Sequence, residues 1–471
     1  MSKSTFFSAL LVAALTASAA PAQLLGGGGG LGGLTGGNSP IGGTVGSIGG
    51  GVGGAVDRSL GELSNIGGLG QALGMSTSEI QQATQPSLDR VSQSTTVTTA
   101  APVQLVNLRA IRLAQLIRAN RTTLDRDGDG QPVRKNELIA TDPDPASLAL
   151  AQRAGFRVLV DQQTPELGLR IVTLAVPRRM NVREALKTLR KAAPTLDADY
   201  NHIFEPAGAA LLPAVGAALA AASPTLAAAP AVRPGTRIAM IDGGVASHPS
   251  LARAAIEQRG FAGTAQPTGH GTAVGSLLVG DQGAFRGAAR GARLFVGDVY
   301  GGNAAAGSAT TIIRALAWAA TKQPSVINIS LVGPGNAALA RAIAALRARG
   351  IAVVAAVGND GPAAPPQYPA SYPGVIAVTG VDASDRALRE AGRSTHVDFA
   401  APGADLVAAS PGKGFAVVRG TSFAAPLVAA RLAAVGTAQR LVAEADPGKG
   451  RVGQGIVCRS CRIAPKTVGL K

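Results

Sequence analysis

Four polar residues in this 471-residue chain sit in segments that could do chemistry. Gly420-Thr421-Ser422-Phe423-Ala424-Ala425-Pro426 puts a serine between a glycine turn and an Ala-rich helical run, Phe423 to Ala434. At a helix N-terminus, unpaired backbone N–H groups can hold a negative charge developing beside a nucleophilic oxygen. A serine there can equally serve only as a helix cap. Arg237-Ile238-Ala239-Met240-Ile241-Asp242-Gly243-Gly244 is a short apolar run ending in Asp and two glycines. That pattern is a buried parallel strand feeding a turn. Asp242 then stands at the strand's C-terminal end, where open α/β sheets keep their chemistry. Gly269-His270-Gly271 opens an apolar helical stretch, and the chain holds four histidines in all. The flanking glycines let other backbone come close. Ile351 to Val357 is another buried-type strand, ending in Gly358-Asn359. Asn359 is either a turn residue or a side-chain donor to an oxyanion. One imidazole to move a serine proton and one carboxylate to orient it make a nucleophilic triad.

In the order Asp242, His270, Asn359, Ser422, these motifs resemble the subtilisin-like serine peptidases, the subtilases. The resemblance spans roughly Arg233 to Gly455. It implies Ser422 as nucleophile, His270 as general base and acid, and Asp242 as the group that fixes the histidine tautomer. It implies an oxyanion hole from the Asn359 side chain and the Ser422 backbone N–H. It also implies a groove in which substrate adds as a strand. Gly307 forms one edge of that groove, and Ser330 with Leu331 the other. Two positions depart from the family pattern, which favours glycine at each. Val332 follows Ser330-Leu331, and Gln367 precedes Tyr368-Pro369. Both narrow the pocket for the side chain before the cut, so a small residue such as Ala is expected there. Ser250 replaces the Asp expected after His248-Pro249, and the loop Val279 to Phe285 is short. No metal and no cofactor are therefore expected.

These residues need a parallel sheet with helices on both faces. Strands are expected at Thr236–Ile241, Leu294–Val299, Val326–Ile329, Ile351–Val357 and Val375–Val378. Helices are expected at Ser308–Thr321, Ala337–Arg349 and Phe423–Val435. Ahead of them, Asn136 to Phe204 reads as β-α-β-β-α-β, the order of a ferredoxin-like unit. Asp144 with Pro145 starts its first helix, and Asn181 with Glu184 forms a capping box before Val182–Ala192. A subtilase pro-domain has a similar small α/β fold. The fold class expected is thus α/β: a subtilisin-like catalytic domain preceded by a small ferredoxin-like pro-domain acting as intramolecular inhibitor.

Residues 1–22 read as a secretory signal, with Lys3 before a short apolar stretch. Residues 23–104 are Gly-rich, then Ser/Thr-rich, and cannot bury a core. Residues 105–205 form the pro-domain-like region, and 206–232 an Ala/Pro linker holding a processing site. Residues 233–457 form the catalytic domain, and 458–471 a basic tail. Cys458 and Cys461, the two cysteines, fit a local disulfide in an exported protein. Asp125 to Gly130 resembles half a calcium loop, but position 12 is Asn136, so a tight acidic turn is the better reading. The net charge of +16 comes without stacking aromatics, so specific nucleic-acid binding is not expected, nor is a membrane span. Arg341, Arg347 and Arg349 read as a solvated basic face. The function expected is a secreted or periplasmic, monomeric, self-processing endopeptidase acting on proteins or peptides. The alternative is a catalytically silent exported surface-binding protein.

Overall fold

The computed structural model describes residues 102–207, 212–213, 232–412 and 414–470. The expected signal, the low-complexity segment up to 101 and most of the linker lie outside the described residues. The chain enters through α1 (Pro102–Ala119) and β1 (Leu124–Arg126). Then come β2 (Pro132–Thr141), α2 (Pro145–Arg153), β3 (Arg157–Thr164), β4 (Leu169–Ala175), α3 (Val182–Ala192) and β5 (Ala198–His202). The strands pair antiparallel in the order β3-β4-β2-β5, with β1 also on β2, which is the ferredoxin-like arrangement. Local signals set the two helices. Asp144 accepts the Ser147 N–H with Pro145 at the first position, and Asn181 and Glu184 close a reciprocal capping box.

Side chains alternate across β2 and divide its two faces. Leu138 and Ala140 pack with Leu174, Leu186 and Leu189 under the helices. Ile139 points the other way and joins Ile171, Ile312 and Ile313 in the main core of the catalytic half. The small unit therefore shares its second face with the large one.

The large unit begins with β6 (Arg237–Asp242), β7 (Ala255–Gly260), α4 (Gly269–Val279), β8 (Arg293–Asp298), α5 (Ala309–Thr321) and β9 (Val326–Ile329). It continues with α6 (Ala337–Ala348), β10 (Ala352–Ala356), β11 (Ile376–Val381), β12 (Phe399–Pro402), β13 (Leu406–Ser410), β14 (Gly414–Val418), α7 (Thr421–Val435) and α8 (Ala438–Glu444). Seven strands run parallel in the order β12-β11-β10-β9-β6-β8-β7. The winding reverses at β6, whose neighbours are β8 and β9, so the crevice opens at the carboxyl end of β6. Helix α7 is buried on nearly all sides, as an all-apolar helix inside a large core must be.

Several features go beyond the sequence reading, among them β7, β12, the hairpin β13–β14 and α8. Helix α1 was not expected. The basic tail packs on the large unit, with Ile463, Val468 and Leu470 against Phe285 and Val407. Arg341 is not simply a solvated cation: it reaches Asp197 at 2.7 Å and Asp142 at 3.6 Å on the small unit. Among the described residues no single helix is long and apolar enough to cross a membrane.

Candidate active site

Asp242 ends β6 and is fully buried. Its Oδ1 accepts the Gly243 N–H at 2.7 Å and faces His270 Nδ1 at 2.9 Å. Thr268 caps α4 by accepting the Gly271 N–H at 2.9 Å, which holds His270 in the first turn. Glycine is required where these loops meet. A Cβ on Gly271 would lie 2.3 Å from the Gly243 carbonyl oxygen, and one on Gly243 would lie 2.3 Å from Thr268 Oγ1. A Cβ at either position would force the two loops to shift against each other.

Ser422 is the second residue of α7, and the cap position belongs to Gly420. The φ of Gly420 is 141°, a backbone angle glycine tolerates best. Ser422 is therefore not a cap. Its Oγ and the His270 Nε2 are both buried without a hydrogen-bond partner among the described residues. The His270 ring lies 5.3 Å from the ring of Phe423, the residue after the serine. Asn359 follows β10 and is held by its side-chain oxygen, which accepts the Thr421 N–H at 3.0 Å. Ser330 Oγ donates to the Ser422 carbonyl at 2.9 Å, tying the groove edge to the helix start.

A strand of the chain itself lies along the groove. Ile203 bridges Ser308, and the Phe204 N–H donates to the Gly307 carbonyl at 2.7 Å. Glu205 and Pro206 pair antiparallel with Val332 and Leu331. The Ala207 N–H donates to the Ser330 carbonyl at 2.8 Å. The Asn359 Nδ2 donates to the Ala207 carbonyl. Val332 and Gln367 converge beside Gly358, where a Cβ would meet Val332 Cγ1 at 3.2 Å and Gln367 Cγ at 3.3 Å. Gln367 is only 3% exposed, turned inward with its Nε2 on the Pro365 carbonyl at 2.9 Å.

Helix α1 crosses this region. Leu105, Arg109 and Leu113 fall on one buried stripe at helical spacing. Leu105 packs on Gly361, two residues past Asn359. Arg109 pairs with Asp360 at 3.0 Å, with side chains 10% and 5% exposed. Arg112 pairs with Asp360 at 2.9 Å and with Glu205 at 3.4 Å. Burial disfavours the Arg112 charge, but the two carboxylates outweigh it and hold the guanidinium protonated. Asp360 and Arg109 carried no signal in the sequence, because a carboxylate after an Asn and one of three arginines on a helix are ordinary.

Elsewhere Asp127 accepts the Asp129 and Gln131 N–H groups at 2.9 and 2.8 Å and faces His202 Nε2 at 3.2 Å. The acidic loop is thus built as a turn. The Cα atoms of Cys458 and Cys461 stand 5.2 Å apart around a short turn.

Asp242, His270, Asn359 and Ser422 thus stand around the carboxyl end of a doubly wound parallel sheet. The subtilase family (Peptidase_S8) matches residues 233–445. The chain is 33% identical over 206 residues to subtilisin Savinase of Lederbergia lenta, covering 43% of this chain and 76% of that protein. It is 34% identical over 204 residues to thermitase of Thermoactinomyces vulgaris, covering 41% of this chain and 72% of that protein. It spans only 54% of the alkaline protease of Alkalihalobacillus alcalophilus, at 33% identity over 206 residues and 43% of this chain. The fold is similar to that of fervidolysin from Fervidobacterium pennivorans, a keratinolytic enzyme related to subtilisin, with a TM-score of 0.59 and 18% identity. That likeness covers 72% of this chain and 62% of fervidolysin. The chain belongs to the subtilase family and is a serine endopeptidase.

Proposed function

We propose that the chain is an exported, self-processing serine endopeptidase that cuts itself after Ala207 and then keeps its own product in the groove. One observation carries this reading: residues 203–207 lie as an added strand with the Ala207 carbonyl on the Asn359 amide. In this mechanism Ser422 Oγ attacks the Ala207 carbonyl while His270 Nε2 takes its proton. Asp242 holds the imidazole by Nδ1 and stabilises its charged form. The Asn359 amide and the Ser422 N–H hold the oxygen as it becomes negative. His270 then gives the proton to the departing amine of Gly208, and water releases the acyl group by the reverse roles. Loss of one oxyanion donor costs related enzymes about a hundred- to a thousand-fold in turnover.

The small unit 124–202 acts as inhibitor, supported by how it caps the catalytic half. Asp199 accepts the Ala337 N–H at 3.0 Å at the start of α6, and Asn201 accepts the Thr310 N–H at 3.2 Å at the start of α5. A carboxylate at a helix N-terminus is favoured by the dipole. Val332 and Gln367 fill the pocket, in keeping with Ala207 as the residue before the cut. Residues 1–22 direct export to the periplasm or medium, and a Cys458–Cys461 disulfide forms there. The processed enzyme acts as a monomer on proteins or peptides.

The test is a serine-directed phosphonate probe together with a Phe-Glu-Pro-Ala anilide substrate. The processed enzyme labels covalently and cleaves the anilide, and Ser422→Ala does neither. Absence of labelling and turnover in the wild type contradicts the reading and favours a silent binding protein.

A further inference from the structure

Besides Asn359 on the Ala207 carbonyl and Arg112 on Glu205, the groove strand makes a further polar contact that backbone pairing does not supply. Tyr300 Oη donates to the Phe204 carbonyl at 3.0 Å, with both groups buried. If Ala207 precedes the cut, Phe204 is the fourth residue before it. We infer that Tyr300 is a substrate-positioning residue whose hydroxyl fixes the carbonyl of the fourth residue before the cut. This rests on the reading of residues 203–207 as substrate-like.

The phenol is placed from below. Tyr300 follows β8, whose last residue, Asp298, stands in register with Asp242. Asp298 is fully buried. Its Oδ1 accepts the Tyr300 and Gly301 N–H groups at 2.8 and 3.0 Å, and its Oδ2 accepts the Gln266 N–H at 2.8 Å. The Val299 N–H donates to the Asp242 carbonyl at 3.0 Å. The loop that carries the ring is therefore anchored to the same strand end as the triad aspartate.

The ring also needs a gap beside it. A Cβ on Gly307 would lie 2.4 Å from Tyr300 Cε1 and 2.8 Å from the Phe204 carbonyl oxygen. Glycine at 307 thus serves both the strand pairing and the approach of the hydroxyl. Burial raises the phenol pKa well above its ordinary value, and the carboxylates of Asp242, Glu205 and Asp298 add to the rise. The group stays protonated and remains a donor.

A neutral hydroxyl on a main-chain carbonyl does not read side chains. It rewards reach: a substrate must extend at least four residues before the cut to use it. The substrate class inferred is therefore an extended polypeptide, with shorter peptides cut less well for want of this contact.

The test compares Tyr300→Phe with the wild type, both processed and titrated for active serine with a phosphonate. Two substrates are used. One is N-acetyl-Phe-Glu-Pro-Ala anilide. The other is the same compound with the Phe–Glu carbonyl reduced to a methylene. A net hydrogen bond of this kind predicts a loss of about three- to ten-fold in kcat/KM for the amide substrate. It predicts an unchanged kcat/KM for the reduced one. An equal loss on both substrates means the ring only supports the fold, and no loss on the amide means the contact is idle; either overturns the inference. Failure of the wild type to cleave either substrate instead overturns the peptidase reading beneath it.

Discussion

At the scale of the residue, pocket size follows from which side chains stand where glycine would leave space. Val332 adds a branched group, and Gln367 folds inward with its amide on the Pro365 carbonyl rather than swinging to solvent. Overfilling an apolar contact costs about 1–3 kcal/mol, enough to shift selectivity about ten- to two-hundred-fold. Peptide-library profiling of the processed enzyme is expected to select Ala before the cut. Val332→Gly with Gln367→Gly is expected to move that preference toward Phe and Tyr. Selection of Phe, Tyr or Leu by the unaltered enzyme would contradict it. Asp242, His270, Asn359 and Ser422 could be singled out as candidates because each lies within two residues of a glycine at a strand end or helix start, a pattern readable within one segment. Tyr300 and Asp360 were not, since their partners Phe204 and Arg109 are 96 and 251 positions away along the chain. Nothing local marks such pairs.

At the scale of the element, helix α1 links three parts of the molecule. Arg109 donates to Gln131 at 2.7 Å and pairs with Asp360, while Arg112 joins Asp360 to Glu205. Replacing both arginines strands the Asp360 carboxylate only while the pro-region covers it; once that region leaves, water reaches it. Removing one side of a buried pair is costly for this reason. Arg109→Gln with Arg112→Gln is therefore expected to leave self-cleavage intact. It should shorten the lag between cleavage and the appearance of activity by about ten-fold or more. A stopped time course, read by gel for cleavage and by anilide hydrolysis for activity, checks this. An unchanged lag would show that the helix holds nothing in place. Five of the seven strands of the large sheet, and the helices of the small unit, could be read locally from apolar runs, caps and the Asn181–Glu184 box; β7 and β12 were not, because Ala255–Gly260 is largely polar and Phe399–Pro402 is short and ends in proline. Helix α1 escaped because Arg109 interrupts its apolar stripe, and only the distant Asp360 explains an arginine there. The hairpin β13–β14 escaped because its two short strands lack alternation of apolar and polar residues.

At the scale of the whole molecule, the small and the large unit meet over a shared face among the described residues. The second face of the small sheet belongs to the core of the large unit. Arg341 meets Asp142 and Asp197, so part of the positive charge of the catalytic half faces carboxylates of the small unit. Such exposed pairs add little stability singly. The register in which residues 203–207 lie in the groove is set by their backbone pairing with Gly307, Ser308, Ser330, Leu331 and Val332. The central claim is that this register selects one bond, the one after Ala207. The direct measurement is the N-terminal sequence and intact mass of the chain made in a protease-free translation system. The wild type is expected to yield a mature chain beginning at Gly208, with Ser422→Ala remaining uncut. A mature chain beginning elsewhere in 209–232, or equal processing of both proteins, would contradict it.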